Sequence, residues 1–174
     1  MMKKLASFLM ALILMTAFYL YALLREDEGT KGTDRWVVAS EESIFKAQGS
    51  TISNQAAALS AAMGVSLPLP NEIISGEVTD GKYHGYYVRE LHVKDEQRIV
   101  RGVRPVSAAP MLRDKELAFS QSDKTLMSYP LLFAQQNERT YYYFSTDSAA
   151  FVIEAPAGMS QSDALEGITM TEPK

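Results

Sequence analysis

YHGYYVRELHVKDEQRIVRGVRPV, residues 83–106, is two runs rich in aromatic and β-branched side chains, YHGYYVRELHV and RIVRGVRPV, divided by the polar tetrapeptide KDEQ. Runs of that kind on either side of a polar break form a β-hairpin. Closing the chain across KDEQ places Val93 opposite Arg98, Leu91 opposite Val100, Glu90 opposite Arg101 and Tyr87 opposite Arg104. Opposite charges meet at Glu90 and Arg101, and an aromatic ring meets a guanidinium at Tyr87 and Arg104. Each such pair adds about 0.2–1 kcal/mol. An antiparallel hairpin is therefore the seed of the fold.

The pattern continues downstream. LLFAQQNERTYYYFSTDSAAFVIE, residues 131–154, breaks at QNER and again at TDSA. It reads as a three-stranded meander with Phe133 facing Tyr142 and Tyr143 facing Val152. Between the two groups, ELAFSQSDKTLMS suggests a further hairpin turning near Ser122 and Asp123. Upstream, ISNQAAALSAAMG has a helical signature over about residues 53–63. Ser53 is an N-cap candidate, Ile52, Ala56, Leu59 and Met63 recur at helical spacing, and Gly64 can close the end. Its face is small and flat, suited to close approach to a sheet. Prolines at 68 and 70 in VSLPLPNE exclude helix and central strand, which makes that stretch a connector.

The expected fold class is α+β: one mainly antiparallel hairpin and meander domain over residues 35–154, with one packed helix, following an N-terminal transmembrane helix. The anchor rests on Leu5 to Leu24, uncharged throughout and preceded by Lys3 and Lys4. At about 1.5 Å per residue that run covers a hydrocarbon core of about 30 Å, more than a cleavable signal core needs. Bulky residues in FYLYALLRED leave no small-x-small cleavage pair, although secretion after cleavage is the alternative. Residues 1–4 would be cytoplasmic, since positive charge stays inside, and the body would face outward. REDEGTKGTD, residues 25–34, is too polar to fold and reads as a tether. Residues 155–174, a mixture of Pro, Gly, Ser and acids, read as a flexible tail.

Composition narrows the chemistry. The 174 residues carry 17 basic against 21 acidic side chains and no cysteine. Negative net charge argues against nucleic acid, and absence of cysteine excludes disulfides, thiol catalysis and attachment of lipid to a processed cysteine. His84 and His92 lie eight residues apart on one proposed strand, too far to share a metal ion. No P-loop, dinucleotide glycine pattern, HExxH or serine-centred hydrolase motif is present, so no cofactor is implied and no catalytic residue is identified.

Two uneven features remain as partner-binding candidates. Arg98, Arg101 and Arg104 form a basic series, with Arg98 and Arg104 on one strand face and Arg101 on the other. Tyr141, Tyr142 and Tyr143 alternate likewise, and would expose phenols to a partner if either face were uncovered. The expectation is a single-pass protein of the bacterial cytoplasmic membrane. Its outer domain would bind a protein partner in an envelope assembly, without catalysis. The competing reading is an anchored hydrolase acting on peptide or cell wall with an unidentified serine nucleophile. A cleft joining a serine to Lys82 or His84 would favour the second.

Overall fold

A computed structural model of the chain describes residues 45–112 and 117–173. After Phe45 come β1 (Lys46–Ile52), α1 (Ala56–Met63), β2 (Leu67–Pro70), β3 (Ser75–Tyr83), β4 (Tyr86–Lys94) and β5 (Ile99–Arg104). A 3-10 helix (Val106–Leu112) follows, then β6 (Ser120–Leu126), β7 (Tyr129–Gln136), β8 (Arg139–Ser145), β9 (Ala150–Pro156), α2 (Gln161–Leu165) and β10 (Ile168–Thr171). Eight strands make one antiparallel sheet in the order β1-β3-β4-β5-β9-β8-β7-β6, and β2 pairs with β10 in a second, two-stranded sheet.

Three hairpins, β3–β4, β6–β7 and β7–β8, close through two-residue turns whose central residues both have positive φ: His84 and Gly85, Met127 and Ser128, Asn137 and Glu138. That geometry matches the twist of paired strands. The turn at Met127 and Ser128 corrects the hairpin expected at Ser122 and Asp123, because β6 runs on as one bulged strand to Leu126. In the meander, Phe133 faces Tyr142 and Tyr143 faces Val152, as the sequence implies. The first hairpin is two residues out of the expected register: Val93 faces Val100, His92 faces Arg101 and Arg89 faces Arg104. The cause is Asp95, whose Oδ1 accepts from the backbone N–H groups of Gln97 (2.9 Å) and Arg98 (2.6 Å), confining the turn to residues 95–98.

Both faces of the central part of the large sheet are covered, whereas β1 at one edge is exposed along its length. On one face, Leu59 and Met63 of α1, Leu67 and Leu69 of β2, Ala164 of α2 and Ile168 of β10 pack on Leu91, Val100, Phe144, Phe151 and Ile153. On the other, the 3-10 helix with Leu117 and Phe119 covers Val88, Val103, Tyr143 and Val152. Each fully buried Leu, Ile or Phe contributes about 1.5–3 kcal/mol. The flat face of α1 does approach the sheet closely, for a β-carbon on Gly76 would stand 2.5 Å from Leu59 Cδ1. Ile52 is not part of that face; it ends β1 and is 77% exposed.

The stretch read as a connector is β2, whose prolines sit on a two-stranded sheet where one edge needs no ladder. Beyond Glu154 the chain finishes β9, forms α2 with Ser160 capping the Asp163 N–H, and pairs β10 with β2. Buried Ser60 ties this segment to α1, its Oγ lying 2.7 Å from Thr171 O and 3.0 Å from Val65 O.

The transmembrane helix expected over residues 5–24 lies outside the described residues, as do the tether and residues 35–44. Among the described residues no helix is long and apolar enough to cross a membrane. The fold class is corrected to an α+β domain of antiparallel sheets with two short helices, with no membrane-spanning helix among the described residues. Single-pass topology and an outward-facing body lose their support with it.

Candidate functional site

Strand β5 carries Arg101 and Arg104, Arg98 immediately precedes it, and the structure sends each to a different place. Arg98, the last residue of the turn, donates from Nε to Asp95 Oδ2 at 2.7 Å and from Nη1 to the backbone carbonyls of Ala164 and Glu166. The guanidinium therefore closes the C-terminal end of α2, where unpaired carbonyls favour a cation. Asp95 is buried, which opposes its charge, yet the N–H donors of Arg98 and Gln97 and the Arg98 guanidinium together hold its carboxyl below the ordinary value. Arg98 also lines a cleft of about 480 Å³ whose other charged walls are Glu72, Asp95, Glu96, Asp163 and Glu166. Five carboxylates against one guanidinium make this cleft unfavourable to an acidic partner.

Arg101 faces the opposite side of the sheet. It lies 3.5 Å from Glu90 and 3.9 Å from Glu154 and donates to Met111 O in the 3-10 helix. The expected contact with Glu90 exists, but diagonally, because the register places His92 opposite Arg101. The tyrosines divide as alternation requires. Tyr142 packs in the core beneath the α-helices and Tyr143 in the core beneath the 3-10 helix, 4% and 9% exposed, with half-buried Tyr141 against the second. Burial raises the pKa of the Tyr142 phenol. The six candidate residues thus form no common surface.

Arg104 ends β5 and bonds through Nη1 to Met63 O and Gly64 O, both at 3.0 Å, closing the C-terminal end of α1. Gly64 itself is left-handed, φ 71°. Directly across the strand pair stands a second arginine, Arg89. Arg89 donates from Nε to Asp80 Oδ1 at 2.9 Å and to the Tyr87 hydroxyl at 3.3 Å, and its guanidinium lies 5.5 Å from the centre of the Tyr87 ring. The Nη1 atoms of Arg104 and Arg89 lie 2.5 and 3.3 Å from where a β-carbon on Gly64 would stand, so they are no farther apart than those two distances combined. Tyr87, Arg89, Arg104 and Pro105 line a cleft of about 280 Å³ here.

A second like-charged pair adjoins the first. Lys46 on β1 faces Lys82 on β3, and Lys82 in turn faces Tyr87 on β4. Asp80, two residues before Lys82 on the same face, faces Arg89. Lys46 and Lys82 are both exposed. Four cations and one carboxylate thus share one corner of the sheet, in a chain of net charge −4. Arg104 was visible in the sequence as a candidate; Lys46, Lys82 and the opposition of Arg89 to Arg104 were not. The signal that locates them is the Asp95 turn, which fixes the register.

His84 occupies a hairpin turn, its ring edge-on to Tyr83 at 4.3 Å, and is separate from the strand bearing His92. Among the described residues no group of three or more His, Asp or Glu could hold a metal ion. Neither of the two clefts has a serine in its walls, and Lys82 faces Lys46. No family model, curated protein or solved structure matches the chain. The membrane-anchored assembly role in a bacterial envelope and the anchored hydrolase are both set aside: among the described residues no spanning helix or metal-ligand cluster supports either, and no family model matches.

Proposed function

We propose that this chain is a ligand-binding domain that takes a small anion, a carboxylate or phosphate group, at the corner formed by Lys46, Lys82, Arg89 and Arg104. The observation that carries the reading is the direct opposition of Arg89 to Arg104 over an open cleft. Two unit charges at that separation repel by about 3 kcal/mol or more at an effective dielectric near 20, and by less where solvent reaches them. Asp80 compensates one of them, and the carbonyls of α1 partly compensate the other. Lys46 and Lys82 have no carboxylate partner among the described residues. Arg89 has both Nη groups without an acceptor among the described residues, placed at the cleft. A planar fork of that kind suits two-point contact with an oxyanion.

The test is calorimetric titration of the full chain with inorganic phosphate and with acetate at low and raised salt. Saturable binding that weakens with salt, and that falls by roughly tenfold or more in Arg89→Met, is expected from loss of a charge-assisted bidentate contact. Absence of saturable heat for both anions, or equal affinity in the variant, overturns the proposal.

A further inference from the structure

Resting on that reading, we infer that the ligand is a molecule with two anionic groups roughly 12 Å apart, two strand spacings across the sheet and two residues along it. The corner has two rungs on one sheet face. One is Asp80, Arg89 and Arg104; the other is Lys46, Lys82 and Tyr87. Each rung holds two cations directly opposed, an arrangement that costs stability when nothing lies between them. A single anion neutralises one rung and leaves the other.

The rungs differ in chemistry. Arg89 and Arg104 offer planar, directional donors, suited to holding one carboxylate or phosphate in a fixed orientation. Lys46 and Lys82 offer point charges on flexible stems, suited to attracting a second anionic group without fixing its angle. Tyr87 joins the two: it stands on the lysine rung, accepts from Arg89 Nε through its hydroxyl, and is 51% exposed. Its open ring is an apolar surface against which an aliphatic spacer can lie. The chemical class is therefore a flexible dianion of the α,ω-dicarboxylate or terminal bisphosphate type.

Titration of the full chain at constant ionic strength with acetate and the straight dicarboxylates from succinate to dodecanedioate tests this. Affinity is expected to peak near sebacate or undecanedioate, whose extended charge separation matches roughly 12 Å. The best member should bind roughly 10- to 100-fold more tightly than acetate, because its second contact forms at high effective concentration. Lys82→Gln and, separately, Lys46→Gln should flatten the length dependence toward the acetate value; both side chains are exposed, so the fold is kept. Arg89→Met should weaken every member of the series. Acetate binding that is lost in Arg89→Met, with equal affinity for all dicarboxylates, overturns the two-group inference and leaves the single-anion site standing. No binding by any probe overturns both.

Discussion

An arginine just before β5 and another at its end do the same backbone task in opposite electrostatic settings. Arg98 closes α2 and meets a buried carboxylate across its own turn; Arg104 closes α1 and meets another arginine across the strand pair. One end is neutralised within the protein and the other keeps a positive surplus. Closing a helix with a guanidinium is thus separable from charge balance, and only the unbalanced end has capacity for a ligand.

The largest effect expected from breaking the comparison is at the balanced end. Arg98→Met removes the cation from Asp95, which is 10% exposed at its side chain, and frees two α2 carbonyls. Stranding a buried carboxylate in this way should cost about 3 kcal/mol in urea unfolding. Next comes Asp95→Asn, which keeps an acceptor for the Gln97 and Arg98 N–H groups but loses the charge, and should cost about 2 kcal/mol at neutral pH. Asp95 also sets a pH signature. Its folded pKa is lowered, so its contribution is complete above the unfolded pKa of about 3.9, shrinks as pH falls below that value, and is lost once pH passes the folded pKa. Urea midpoints measured from neutral pH down to acid should fall more steeply for the parent chain than for Asp95→Asn.

The smallest change belongs to the unbalanced end. Arg104→Met loses two hydrogen bonds to α1 and simultaneously relieves its repulsion with Arg89, so the net cost should be about 1 kcal/mol or less. In an Arg89→Met background, where that relief is already present, the same substitution should cost more. Additive unfolding energies would show that the two guanidiniums do not sense one another.

Alternation was enough to divide Arg98 and Arg104 from Arg101, and Tyr142 and Phe144 from Tyr141 and Tyr143, because strand geometry admits one assignment of faces. The meander registers were legible because Asn137 and Glu138 fit a two-residue turn. In the first hairpin, counting KDEQ as the loop left out the Asp95 carboxylate, which confines the turn by hydrogen bonding to backbone one residue later. That two-residue displacement concealed the facing arginines. Lys46 was invisible for another reason: β1 joins β3 across α1 and β2, a pairing no local pattern encodes. The closing elements α2 and β10 were hidden by composition, since a buried Ala164 and Ile168 amid polar neighbours carry little periodic signal.

The junction of β5 with β9 has a consequence for assembly. β3, β4 and β5 can zip through short loops, as can β6, β7, β8 and β9, whereas joining the two stacks requires closure over everything between them. Until then IVRGV and AFVIE are raw apolar edges, open to pairing with their counterparts on other chains. Each edge carries one charge on the same face, Arg101 on β5 and Glu154 on β9. Copies of one edge repel, while the correct partner presents the opposite sign, and on closure the two side chains stand 3.9 Å apart. The charges act as a polarity key for this long-range closure, favouring the native seam over its homotypic alternatives.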